Sequence, residues 1–187
     1  MVRLIQLAFV EGRLPEELTW ETMILPPKGK WEYRGIGLVE VAQKLFTLVM
    51  NLWMKKGVDH RDSLNGFREG SGMGMATLEA NLDHQLAGIF HETLFQVFLD
   101  VRKAYDLLDR EICLDILRWY GLGTNMARLL AHYWEKQRIV PMEGKFLGRP
   151  FRTGQGVTRG DPASSMVFNI VVDTVVQEVL EEVCRPK

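Results

Sequence analysis

Phe98-Leu99-Asp100-Val101-Arg102-Lys103-Ala104-Tyr105-Asp106 and, about sixty residues later, Gly156-Val157-Thr158-Arg159-Gly160-Asp161-Pro162-Ala163-Ser164-Ser165-Met166-Val167-Phe168-Asn169 are the two stretches on which the reading turns. The apolar, β-favouring run Thr93 to Leu99 predicts a strand buried on both faces. Asp100 closes it, and a carboxylate at the end of a buried strand sits at a sheet edge, where a stiff backbone can hold it toward a divalent ion. Alone, Asp100 equally starts a turn or caps a helix. In the second stretch, glycines let a backbone approach a base or sugar closely, and Pro162 suits the first turn of a helix. Alone, this too is an ordinary loop-to-helix junction.

Working outward, residues 3 to 11 predict a short amphipathic helix with Leu4, Leu7 and Ala8 on one side, and Thr19 to Leu25 a strand. Pro26-Pro27-Lys28-Gly29-Lys30 must be a turn, because consecutive prolines and a glycine cannot continue either regular element without cost. Leu38 to Met54 predicts a helix whose buried face carries Leu38, Val41, Leu45, Leu48, Val49 and Leu52. Gly66 to Gly74 reads as a loop, followed by a helix from about Ala76 to Leu86. Asp109 is an N-cap for a helix ending at Gly121, and Thr124 caps another that runs to about Gln137. The glycines at 144, 148, 154, 156 and 160 punctuate short strands, a hairpin and a tight turn. Ala163 to Val183 predicts a long helix with Phe168, Val172, Val175, Val176, Val179 and Val183 on the packed face.

The chain has 187 residues, 47% of them hydrophobic, enough to bury a core. Two cysteines supply no disulfide framework, and four histidines, His60, His84, His91 and His132, lie outside any zinc-binding spacing. No stretch reaches roughly 20 uninterrupted apolar residues and Met1 to Val10 lacks a cleavage site, so the chain reads as soluble and intracellular, cytoplasmic or nuclear. A net charge of -1 argues against a wholly basic nucleic-acid module. The distribution is uneven, however. Lys136, Arg138, Lys145, Arg149, Arg152 and Arg159 face one acid, Glu143, across that stretch, whereas Asp173, Glu178, Glu181 and Glu182 dominate the last part.

Taken together, the two opening stretches resemble motifs A and B of reverse transcriptases, closest to those of non-long-terminal-repeat retrotransposons and group II introns. Upstream, Ile24-Leu25-Pro26-Pro27-Lys28-Gly29-Lys30, Tyr33-Arg34-Gly35-Ile36-Gly37-Leu38 and Lys44-Leu45-Phe46 are similar to that family's fingers, and Gly66-Phe67-Arg68-Glu69-Gly70 to its next block. The resemblance runs from about residue 20 to 175. It implies an α+β right-hand polymerase fold, with fingers over 1–92 and a partial palm over 93–187 built on an antiparallel sheet with helices behind. Motif A lies near 98–106 and motif B near 156–169, and the chain stops before motif C.

The resemblance further implies RNA-directed DNA polymerisation by two Mg²⁺ or Mn²⁺ ions on an RNA template and DNA primer, with deoxynucleoside triphosphates as substrates. Asp100 becomes the catalytic metal ligand, with the Val101 carbonyl beside it. Tyr105 becomes the gate against a 2′-hydroxyl. Lys28, Lys30 and Arg34 grip the triphosphate, and Arg159 and Gly160 lie against the nascent pair. Without the resemblance, Tyr105 is a core aromatic and the three basic residues a solvated loop. Arg102 and Lys103 serve structure or backbone contacts, and Asp106 caps the helix that follows.

The sequence departs from the family pattern at several positions. Arg159 replaces Gln, Ser165 replaces Pro, Gly35 and Gly37 replace Pro and Ser, and Ser71-Gly72-Met73 replaces Arg-Ser-Thr. No Tyr-x-Asp-Asp is present, so one of the two carboxylate sources of a two-metal site is missing. The alternative reading is a non-catalytic nucleic-acid-binding remnant. A haloacid-dehalogenase-like phosphatase would need Asp-x-Asp where Asp100-Val101-Arg102 stands.

Overall fold

In a computed structural model, residues 2–30, 32–57, 66, 70–183 and 185 are described. Phe67, Arg68 and Glu69 of the block at 66–70, Trp31, His60 and Cys184 lie outside them. The chain divides into two compact units, 1–59 with 104–187, and 60–103.

The first unit holds helices α1 (Val2–Glu11), α2 (Val41–Gly57), α4 (Arg110–Trp119), α5 (Thr124–Lys136) and α6 (Pro162–Val183), with a sheet of β1 (Trp20–Ile24), β2 (Ile36–Val39), β3 (Arg138–Glu143) and β4 (Phe146–Leu147). The second unit's helix is α3 (Met73–Phe90). The architecture is α+β. The sheet order is β2-β1-β3-β4. β1 pairs antiparallel with β2 but parallel with β3, placing Glu21 opposite Val39 on one side and Ile139 on the other. The sheet is therefore mixed, where an antiparallel one was expected. Its parallel pair comes from β1 and β3, more than a hundred residues apart and connected through several helices, as parallel strands require a crossover.

The core of this unit gathers Phe9, Phe46, Met50, Cys113, Leu117, Leu129, Leu130, Met166, Val167 and Ile170. Asp109 caps α4 as expected, its Oδ1 accepting from the amides of Glu111 (2.9 Å) and Ile112 (3.1 Å). Gly123, not Thr124, is the residue before α5. Ile36 to Val39 is a strand, so α2 begins three residues later than predicted.

Two helices turn a different face inward from the one predicted. In α2, Gln43, Phe46, Thr47, Met50 and Met54 are buried, whereas Val41, Leu45, Leu48 and Leu52 are exposed. In α6, Ala163, Ser164, Met166, Val167, Ile170 and Val171 are buried and Val175, Val176, Val179 and Val183 are exposed. Both helices carry apolar residues around much of their circumference, so periodicity cannot choose the face. Small residues at the start of α6 and polar partners for Gln43 and Asp173 choose it: Gln43 donates to Tyr133 Oη at 2.7 Å, and Tyr120 donates to Asp173 at 3.3 Å. By length and composition α6 could cross a membrane, a test that the core helix of a soluble protein also passes, and 44% of its most apolar window is buried within the chain.

The largest correction concerns residues 93–99. They form no strand, and Leu94 to Val101 are exposed, Phe98 by 89% and Leu99 by 88%. An apolar run becomes a buried strand only when neighbouring strands take its amide and carbonyl groups. Among the described residues none does so. Asp100 therefore stands in an exposed irregular segment rather than at the end of a central strand.

Candidate nucleotide and nucleic-acid interface

The loop between β4 and α6 is held in place mainly by backbone. Gly156 donates to Leu108 O at 2.8 Å and Val157 to Tyr105 O at 2.9 Å. Gly37 of β2 donates to Arg159 O, also at 2.8 Å. Two of these glycines are required by space as well as by conformation. At Gly156 (φ +82°) a Cβ would lie 2.7 Å from Asp106 O, and at Gly160 (φ +106°) one would lie 2.6 Å from Gly37 O. Gly37 itself leaves room for Thr158, whose Cγ2 a Cβ would strike. That gives a physical reason for glycine at 37, where the family pattern has serine.

On this frame three of the expected site residues come together. The Tyr105 ring stacks on Phe168 of α6, with centroids 4.9 Å apart and planes at 16°. Arg159 Nη2 meets Asp106 Oδ2 at 2.8 Å. Asp106 is thus the partner of Arg159, and capping of α4 falls to Asp109. Burial raises the Tyr105 hydroxyl above its ordinary range, with the Arg159 charge opposing. Gly160 completes the group at the edge of β2.

Lys28, Lys30 and Arg34 lie in the β1–β2 connection, which is closed by Lys28 N–H to Glu32 O (2.7 Å) and Arg34 N–H to Pro26 O (3.0 Å). All three side chains are exposed, and among the described residues none forms an ion pair or a bond to the Tyr105–Arg159 group. Asp100 and Val101 belong to the other unit. Among the described residues no group of three or more His, Cys, Asp or Glu side chains gathers. Mg²⁺ takes about six oxygen ligands. Asp100 offers the right donor chemistry but stands alone, so these side chains do not by themselves amount to an ion site.

Beneath the loop lies a buried polar network that the sequence did not disclose. Arg110 uses its whole guanidinium: Nε donates to Gly156 O (2.8 Å), Nη1 to Trp134 O (2.8 Å) and Thr153 O (2.9 Å), and Nη2 to Gln137 Oε1 (2.7 Å) and Thr153 Oγ1 (2.8 Å). Gln137 Nε2 in turn donates to Thr158 Oγ1 and to Glu21 Oε2 (3.0 Å), and Thr158 Oγ1 donates to the same Glu21 oxygen at 2.8 Å. Glu21 Oε1 has no partner among the described residues. Burial pushes the Glu21 carboxyl up to about 7; the bonds from Thr158 and Gln137 oppose this, the nearby Asp161 adds to it, and Arg110 lowers it. Asp161, also buried, is shifted up by burial, against bonds from Thr47, the Ala163 amide, Ser164 and Tyr133. A signal existed in the strand: Trp20-Glu21-Thr22-Met23-Ile24 puts a charge where the buried member of the alternation falls. A lone acid in a strand ordinarily reads as its solvent face.

No family model matches the chain. Over 88 residues, 47% of its length, it is 33% identical to the retrovirus-related Pol polyprotein from type-1 retrotransposable element R2 of Nasonia vitripennis. Over 98% of its length it is 21% identical to the corresponding polyprotein from type-2 element R2DM of Drosophila melanogaster. The chain is similar to the R2 retrotransposon polyproteins over these stretches. A third match, 29% identical over 46% of the chain, is to the type-1 R2 polyprotein of Popillia japonica. The R2-related chain spans only 9%, 18% and 14% of those three polyproteins. These likenesses support a retroelement polymerase-related region, of the non-long-terminal-repeat kind that the two motifs resemble.

Proposed function

We propose that this R2-related chain is a reverse-transcriptase region that holds primer-template and incoming nucleotide for RNA-directed DNA synthesis inside the cell. The observation that carries the reading is the loop Gly156–Asp161, tied by main-chain bonds to both Tyr105–Leu108 and β2, which gathers Tyr105, Arg159 and Gly160. Within it Gly160 is exposed, and its bare backbone together with the half-buried Tyr105 ring suits a base and sugar. Lys28, Lys30 and Arg34, exposed and without ion pairs among the described residues, are available to a triphosphate, and Arg149 and Arg152 to the phosphates of an RNA template or DNA primer. Within this reading Asp100 and the Val101 carbonyl would contribute ligands to Mg²⁺ or Mn²⁺.

A second reading, a non-catalytic nucleic-acid-binding remnant, is favoured by the Arg159–Asp106 pair, which occupies the guanidinium expected to meet nucleic acid. Titrating a labelled RNA–DNA primer-template with the chain, with and without a deoxynucleoside triphosphate and Mg²⁺, separates the two. Tighter primer-template binding when the complementary triphosphate is added, lost in Lys28→Ala/Arg34→Ala, supports the polymerase reading. Binding indifferent to the triphosphate supports the remnant. Primer extension by the chain alone is expected to be absent.

A further inference from the structure

From the geometry beneath the loop we infer that Glu21 is a positioning residue that takes up a proton to close the loop Gly156–Asp161 onto β1 and β2. This rests on the proposed function only in what the loop is for; that it moves with Glu21 stands on the geometry alone.

The bonds are directional. Arg110 is anchored by carbonyls of α5 and of the segment before the loop, and it orients the Gln137 amide through its oxygen. That leaves the Gln137 amino group to donate toward Thr158 and Glu21, and the Thr158 hydroxyl to donate to Glu21. Every donor that the network aims at Glu21 meets one oxygen, Oε2, while Oε1 lies inside the protein with no donor among the described residues. An ionised carboxylate accepts at both oxygens and is poorly served by such a site. A carboxylic acid, neutral and still accepting at Oε2, suits it better. The loop is what seals the site, because Thr158 belongs to it and the adjoining Arg159 carbonyl takes the Gly37 amide on β2. Lifting the loop hydrates Glu21 and restores its ordinary acidity.

Other titratable groups face the same space. Asp161, at the start of α6, adds negative charge and disfavours an ionised Glu21. Arg110 on α4 favours it. Tyr133 on α5 stays protonated, raised well above its usual value mainly by burial. Asp161 differs from Glu21 in having donors on both oxygens, from Ala163 N–H and Ser164 Oγ.

The sign follows from linkage. A carboxyl that holds its proton more tightly in the closed state favours closure at low pH, and closure weakens as pH rises from the ordinary value of 4.5 to about 7. Across that window the opening equilibrium is expected to rise by up to about 300-fold, the ratio set by the shift.

Hydrogen exchange at the Gly37 and Val157 amides of the full chain, corrected for intrinsic rates and read from pH 5 to 8, tests this without nucleic acid. Wild type should lose protection at these two amides by tens- to hundreds-fold more than the core of α5 does. Glu21→Gln should make protection independent of pH, and Thr158→Val should lower it at every pH. A pH dependence unchanged in Glu21→Gln, or abolished instead by Asp161→Asn, overturns the inference. So does equal loss of protection throughout the unit. Primer-template affinity measured alongside tells the two claims apart. A pH-dependent loop on a chain that binds no primer-template leaves Glu21 as the switch and removes the polymerase reading, whereas binding with a pH-insensitive loop does the reverse.

Discussion

The glycine loop of the second motif and the apolar run that leads into the first meet opposite fates. The loop at Gly156–Asp161 is fastened by three main-chain bonds to neighbours in its own unit and underpinned by Arg110, Gln137 and Glu21. Thr93 to Asp100 forms no main-chain bond among the described residues, although its side chains are the more hydrophobic. Hydrophobicity alone does not place a strand. A glycine loop needs only a few backbone groups within reach, while a strand buried on both faces needs a whole sheet to receive it.

The contrast can be broken by mutation. Gly160→Val adds a Cβ against Gly37 O at a backbone conformation that valine resists, and should cost about 2–4 kcal/mol in chemical denaturation. Leu99→Ser should change stability by less than about 0.5 kcal/mol. A loss at Leu99 equal to that at Gly160 would mean that residues 93–99 are buried after all. Next in size is Arg110→Ala, which strips donors from the carbonyls of Trp134, Thr153 and Gly156 and should cost about 2–3 kcal/mol. Arg110→Lys should recover only part of this, since an ammonium cannot reproduce the fork.

Glu21 sharpens the comparison through pH. Its folded value lies above the unfolded one, so its contribution is fully present below about pH 4.5 and is lost as pH rises through about 7, up to about 3 kcal/mol in all. Glu21→Gln should therefore flatten the urea-midpoint profile across that window, and a wild-type profile already flat there would contradict the burial. Smaller still is the effect of Asp106→Asn on stability, under about 1 kcal/mol, because the pair with Arg159 is partly exposed. Replacing Arg149 and Arg152 with alanine should leave stability alone and lower the salt slope of primer-template binding by about one to two units. An unchanged slope removes them from the template path.

Much of the local backbone around the candidate site was legible because its chemistry is local. The caps, turns and glycines around 109, 121, 156 and 160 declare themselves in a few adjacent residues, and so do the order and type of most helices. The Arg159–Asp106 pair was not legible, since nothing in a basic loop residue says which acid, fifty residues away, will meet it. Nor was the Glu21 network, which joins residues more than a hundred positions apart.

By itself the sequence determined where the chain turns, which segments favour a helix, and the resemblance to reverse-transcriptase motifs carried by residues in order. Only the tertiary structure decided which face of α2 and α6 is buried, that β1 runs parallel to β3, and that Glu21 points inward. Those outcomes depend on contacts between distant segments. Local propensity is fixed by each residue's own backbone and side chain, but burial is fixed by what arrives to cover it, and a helix apolar on most sides or a strand with one acid leaves that choice to the rest of the fold.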